Sequence, residues 1–238
     1  MVNKTLLNDF KNYLLTSNLK NRIAKIILFG SHAKDVAHKD SDIDILIVTL
    51  NGREVETQLM DRVFDFMCEY KAPLEIITAS IADLYLHPDY FLYNITSYGK
   101  EIYAMDKQQT KIHLIKDLIG LSEEYLQSSQ EVLNLDRIRL SVDAAYNAAE
   151  LAAKGLILLK QDDLPGSQGG IVSILGNLYI KSNEIKKEIG RKFNQALQLR
   201  NAARYKPNAN LKPEDAQDVI ELAKTLIELL KSKIAQSN

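Results

Sequence analysis

The sequence predicts an α+β protein: a small mixed-sheet domain over residues 1–105, followed by an all-α up-and-down helical bundle over residues 106–238. Three observations carry this. Before Met105, short β-branched apolar runs alternate with stretches of helical spacing. After Met105 the apolar residues repeat at a period near 3.6, and Gly and Pro serve only as punctuation. The composition, 46% hydrophobic and 26% charged over 238 residues, suits ordinary globular domains and not a disordered chain.

The elements follow in order. Leu6, Leu7, Phe10, Tyr13 and Leu14 recur at helical intervals, and Ile23 to Phe29 is a strand ending at Gly30. Ile43 to Leu50 is a second strand, closed by the turn-forming Asn51-Gly52. Val55, Leu59, Val63, Phe66 and Met67 mark an amphipathic helix, and Pro73 introduces a third strand, Leu74 to Thr78. In the second half, helices are expected at 108–134, 137–160, 171–182, 185–203 and 213–235, with "LPGSQGG", 164–170, as a mobile loop. The last helix is the plainest: Pro213 suits its first turn, Glu214 and Asp215 suit the positive dipole end, and Ala216, Val219, Ile220, Ala223, Ile227, Leu230 and Ile234 form one stripe. Helices so amphipathic pack on one another as a bundle, with Glu150 and Lys154 spaced to pair across one turn.

Charge and cysteine content narrow the function classes. The net charge is −1; residues 1–106 carry 11 Lys+Arg against 15 Asp+Glu and residues 107–238 carry 19 against 16, so neither half indicates nucleic acid. A single cysteine, Cys68, expected to face a helix interior, supplies neither a disulfide framework nor a thiolate metal cluster. The N-terminus is too polar for a signal peptide, and no apolar run approaches the roughly 18 residues of a membrane span. A cytoplasmic protein without membrane contact is expected.

The chemistry concentrates in "LFGSHAKDVAHKDSDIDILIV", Leu28 to Val48. Gly30 and Ser31 stand where a strand ends, and their backbone N–H groups suit a phosphate. Asp42 and Asp44, two apart on extended chain, project to one side about 7 Å from each other. Two like charges beside Ile43, Ile45, Leu46 and Ile47 need a neutraliser, and Mg²⁺, which takes oxygen ligands from one or two carboxylates, water and phosphates, is the simplest. Glu75, inside the apolar run "PLEIIT", adds a third carboxylate on a neighbouring strand, as metal ligand or as proton acceptor for an attacking hydroxyl. Lys34 is placed to reach a phosphate as a point charge, whereas His32 and His38 read as loop residues. The rival reading makes Ser41 and Asp42 a solvated turn cap and Glu75 an edge-strand surface residue.

On these residues, "GSHA" followed by "SDIDILIV" resembles the signature of the polymerase-beta-like nucleotidyltransferases, in particular their minimal members, over about the first 105 residues. The resemblance implies that Gly30 and Ser31 hold the triphosphate of an NTP, most often ATP. It further implies that Asp42 and Asp44 bind Mg²⁺, that Glu75 takes the place of the third acid, and that a nucleotidyl group passes to an acceptor with release of pyrophosphate.

The second half resembles the HEPN domain, on "AAYNAAELAAKGLILLK" from Ala144 and "LRNAARYKPNANLKPEDAQDVIELAKTLIELL" from Leu199. Ribonuclease members of that family carry an Arg, a polar residue and, four to six residues on, a His. Arg200 and Asn201 match the start, but Tyr205 stands where the His is due and no histidine follows His113. Tyrosine, with an ordinary pKa of about 10, replaces it poorly near neutrality. Arg200, Arg204 and Tyr205 are therefore assigned to nucleotide or acceptor binding, against the plainer reading of basic residues at a helix C-terminus. The two resemblances together imply an NMP transferred to a hydroxyl of a small molecule or protein, in a homodimer, in the setting of antibiotic modification or a toxin–antitoxin pair. The alternative is a non-catalytic, antitoxin-like binding module whose HEPN half lacks ribonuclease activity.

Overall fold

The computed structural model describes residues 4–38, 41–50, 53–86 and 89–236. The chain divides into two compact units, Met1–His113 and Leu114–Asn238. The first contains α1 (Lys4–Leu15), β1 (Ile23–Leu28), α2 (Gly30–Ala33), β2 (Ile43–Thr49), α3 (Arg53–Tyr70), β3 (Leu74–Ser80), α4 (Ile81–Tyr85), α5 (Tyr90–Tyr98) and β4 (Lys100–Ala104). The sheet runs β3-β2-β1-β4, with β2 and β3 parallel and β1 antiparallel to both β2 and β4. A mixed four-stranded sheet with helices, followed by an all-helical region, is the α+β architecture the patterning predicts.

The strands are apolar runs because both faces are covered. Ile26 and Leu28 of β1 and Ile43, Ile45 and Ile47 of β2 join Phe10 and Leu14 of α1 and Val55, Leu59, Val63 and Phe66 of α3 in one core. On the other face Ile27, Leu46 and Val48 are also buried, and Gly99 is pressed so close to Ile27 that a Cβ would lie 2.5 Å from its Cγ2. Asp44 is the half-buried polar interruption between Ile43 and Ile45. Cys68 is exposed, contrary to the expectation of an inward-facing thiol, because Phe66 takes the core position on α3. The predicted Asn51-Gly52 turn lies outside the described residues.

The helical region comprises α6 (Lys107–Asn134), α7 (Ile138–Lys160), α8 (Gln168–Leu175), α9 (Lys187–Tyr205) and α10 (Pro213–Gln236). The boundary between the two units falls inside α6, whereas the expected 105/106 boundary lies just ahead of that helix. The predicted loop over 164–170 is shorter than composition suggests: the Ser167 hydroxyl accepts from the Gly170 N–H at 3.1 Å and starts α8 at Gln168. The chain then widens into a π turn, Gly176–Ile180, where an unbroken helix to 182 is expected.

Helix α7 is the centre of this unit and is buried on most sides by Ala145, Ala148, Ala149, Ala152 and Ala153 together with Leu156, Ile157 and Leu158. Its small side chains let neighbours approach, and Gly155 is the closest case, since a Cβ there would lie 2.5 Å from Leu230 Cδ2. Leu230 is fully buried and cannot swing away. Gly155→Val is therefore expected to destabilise the chain by about 1–3 kcal/mol, read from the midpoint of urea unfolding, despite the better helix propensity of valine. Glu150 and Lys154 form the expected pair at 2.9 Å. Among the described residues, no helix is long and apolar enough to cross a membrane.

Candidate active site

The site is built where β1 ends. Gly30 has φ +64°, a left-handed conformation that side chains resist. An ideal Cβ on it would lie 1.8 Å from Asp44 Oδ2 and 2.6 Å from its Cγ. The Asp44 carboxylate thus occupies the space that the missing side chain leaves, and only glycine permits the approach. The Phe29 N–H donates to the Asp44 carbonyl at 2.9 Å, so sheet pairing fixes the height of Gly30 against β2.

Asp42 and Asp44 flank Ile43, whose side chain is in the core, so the extended chain directs both carboxylates to the other side of the sheet. In the parallel register Asp44 pairs with Glu75, one interstrand spacing away. Asp42 and Glu75 are exposed and Asp44 is half-buried. Ahead of them, the His38 N–H donates to Ser41 Oγ at 2.9 Å, and the Ser41 N–H to the His38 carbonyl at 3.2 Å. His32 Nε2 lies 3.2 Å from the Ser41 carbonyl, a contact that requires the proton on Nε2, and so ties α2 to the chain entering Asp42. Lys34 places its ammonium 4.4 Å from the centre of the Tyr98 ring, and Ser31 is half-buried in α2.

Gly30, Ser31, Lys34, Asp42, Asp44 and Glu75 therefore all belong to the loop and strand ends around one corner of the sheet. Among the described residues, no group of three or more His, Cys, Asp or Glu side chains is gathered to hold a metal ion. The donor set suits an ion that arrives with its own oxygen ligands. Mg²⁺ is bound in this way, through one or two carboxylates with water and substrate phosphates, and Asp42 and Asp44 are the pair that would hold it.

Arg200, Arg204 and Tyr205 are in the helical unit, on α9. Arg204 grips Asp143 of α7 with both ends of its guanidinium, Nε to Oδ1 at 2.6 Å and Nη2 to Oδ2 at 3.0 Å, which raises its pKa. Arg200 is buried; its Nη1 donates to Gln168 Oε1 at 3.1 Å and Asn201 Oδ1 at 3.2 Å, and its Nε lies 3.5 Å from Asp143 Oδ1. Its guanidinium stands 5.9 Å from the ring centre of Tyr146 and 5.8 Å from that of Tyr205. Burial, and then the neighbouring Glu150 charge, push the Tyr146 phenol far up. Tyr205 itself is exposed. Sequence periodicity carries no signal for Asp143 or Tyr98, because their contacts join segments some 60 to 70 residues apart.

Comparison with known proteins gives two family matches: a model described as "Polymerase beta, Nucleotidyltransferase" covers residues 12–108, and one described as "HEPN domain" covers residues 115–233. A curated relative from Methanocaldococcus jannaschii, named "Putative toxin MJ0142", is 23% identical over 124 residues, which are 52% of this chain and 84% of the relative. Among solved structures, spectinomycin adenyltransferase AAD(9) from Enterococcus faecialis, with ATP and spectinomycin, aligns over 95% of this chain and 98% of its own at 15% identity and a TM-score of 0.32.

Proposed function

Because the chain belongs to the HEPN domain family and carries a polymerase-beta nucleotidyltransferase domain ahead of its HEPN domain, we propose that it transfers a nucleoside monophosphate from an NTP, ATP above the others, to a hydroxyl acceptor. The observation that carries this reading is the Asp44 carboxylate lying against the positive-φ Gly30, with Glu75 as its register partner on β3.

Asp42 and Asp44 hold Mg²⁺, which supplies charge neutralisation for the phosphates when bound. The Gly30–Ser31 segment and Lys34 orient the triphosphate. The acceptor oxygen attacks the α-phosphorus, the bond from the α-phosphorus to the bridging oxygen of the β-phosphate breaks, and pyrophosphate departs. Glu75, exposed beside Asp44, takes the hydroxyl proton in one assignment and serves as a third ligand in the other. A Glu75→Gln variant separates them: loss of transfer with Mg²⁺ affinity retained marks the proton acceptor, and loss of both marks the ligand.

The HEPN half is assigned to acceptor or partner binding and to self-association, in a cytoplasmic protein. Residues 114–238 contain no histidine, so the proton-transfer residue of ribonuclease relatives is missing. Arg200 and Arg204 are the basic residues offered for nucleotide binding, Tyr205 the aromatic one. A second reading, which rests on the missing histidine of the HEPN half, makes the chain a non-catalytic, antitoxin-like regulatory or partner-binding module; the name of the M. jannaschii relative supports the toxin-related setting alone. Incubating the full chain with Mg²⁺ and each labelled NTP over small hydroxyl acceptors and cell lysate tests the choice. Labelled product with pyrophosphate release is expected; its absence with every NTP favours the non-catalytic module.

A further inference from the structure

We propose that Tyr98 is a triphosphate-binding residue, its hydroxyl donating to a phosphate oxygen while its ring holds Lys34 for the same anion. This rests on the nucleotidyl-transfer reading above. The Gly30 N–H donates to the Tyr98 hydroxyl at 3.4 Å, at the long end for such a bond. A phenol has acceptor lone pairs and one proton, so accepting from Gly30 leaves its O–H to donate. An oxygen seated on the Ser31 amide, next to the Gly30 N–H that Tyr98 takes, therefore comes within reach of that proton. Lys34, exposed and 4.4 Å from the ring centre, is drawn by the cation–π attraction beside the same group.

The surrounding contacts give the arrangement its rigidity. Of three consecutive residues, Tyr98 and Lys100 meet the loop that follows β1, and Gly99 between them lies against β1 itself. Tyr98 meets Gly30; Gly99 lies against Ile27; and Lys100 binds both carboxylate oxygens of Asp35, at 2.8 and 2.9 Å. Gly30 and Asp35, at φ +64° and +59°, are left-handed residues of this loop, and each is met by one side chain from the α5–β4 corner. Packing of the Tyr98 ring against the core explains why an aromatic stands there, but not why its hydroxyl meets the amide of Gly30.

Tyr98→Phe keeps the ring, the packing and the Lys34 contact and removes one oxygen. Calorimetric titration of the full-length variant with Mg²⁺–ATP and with Mg²⁺–pyrophosphate is expected to show about tenfold weaker binding of both, the loss of one charge-assisted hydrogen bond, with the thermal midpoint unchanged. Binding equal to the parent overturns the role of Tyr98 and leaves the proposed reaction standing. Weakening toward ATP alone moves Tyr98 to the nucleoside and overturns the proposal, as does weakening that comes with a lowered midpoint, which makes Tyr98 a loop brace only. A parent chain that binds neither probe removes both this inference and the reading beneath it.

Discussion

Asp44→Asn is expected to lower Mg²⁺-dependent nucleotidyl transfer about 10³-fold while leaving the unfolding midpoint within error of the parent. Asparagine has nearly the same shape, so it fills the space against Gly30 without the clash a larger side chain would bring. What it lacks is the charge proposed to hold the ion. Loss of about 4 kcal/mol of transition-state stabilisation corresponds to that fold-change and is a reasonable share for metal neutralisation of a transferring phosphoryl group. The check is single-turnover transfer at saturating NTP beside a thermal melt of the same sample. Asp42→Asn is expected to follow the same pattern, since Asp42 is exposed and makes no contribution to the core.

Gly30→Ala is the second large effect, and its cause is steric. The backbone must keep φ +64°, which costs an alanine roughly 1–2 kcal/mol, and the new methyl would stand 1.8 Å from Asp44 Oδ2. Either the loop or the carboxylate has to shift. A displacement of about 1 Å between reacting groups is sufficient for a loss near 10²-fold in kcat. A double-mutant cycle identifies the clash: in an Asp44→Ala background, where the carboxylate is gone, Gly30→Ala should cost less stability than in the parent. Equal cost in both backgrounds would assign the effect to the backbone alone.

How much of this was legible depends on whether a signal is local. Ile23 to Phe29 and Ile43 to Leu50 could be read as strands because burial on both faces makes continuous apolar runs, and the structure ends them one residue earlier, at Leu28 and Thr49. The Asp42–Ile43–Asp44 pattern declared two carboxylates opposite one core residue. The positive φ of Gly30 and its packing on Asp44 could not be read, since they depend on how β1 and β2 are paired. Strand β4, "KEIYA", offered no apolar run, because it lies at an edge and is largely exposed. Pairing of Arg204 with Asp143 joins α9 to α7 across 61 positions and leaves no periodic trace. Where Ser167 caps α8, the Gly-rich composition of 164–170 suggested a longer loop than the capping bond allows.

The helical half illustrates a different limit. Its period of 3.6 is plain enough to place the four long helices, but not the break of the stretch expected over 171–182 into Gln168–Leu175 and a π turn, and it cannot say which polar residues meet inside. The sequence assigns Arg200 to nucleotide or acceptor binding, and in the fold it is buried and faces Gln168, Asn201 and Asp143. Such a group is costly to leave without partners, so the surrounding polar residues are part of what keeps it in place.

The central claim is that Asp42 and Asp44, beside the Gly30 loop, form a Mg²⁺-dependent nucleotide site. Calorimetric titration of the full chain with ATP, in the presence of Mg²⁺ and then of a chelator, tests it without knowledge of the acceptor. Saturable ATP binding that disappears with the chelator and in the Asp42→Asn, Asp44→Asn double variant is the predicted result. Binding that is indifferent to the metal and to both aspartates, or no binding of any NTP by the parent chain, would contradict it.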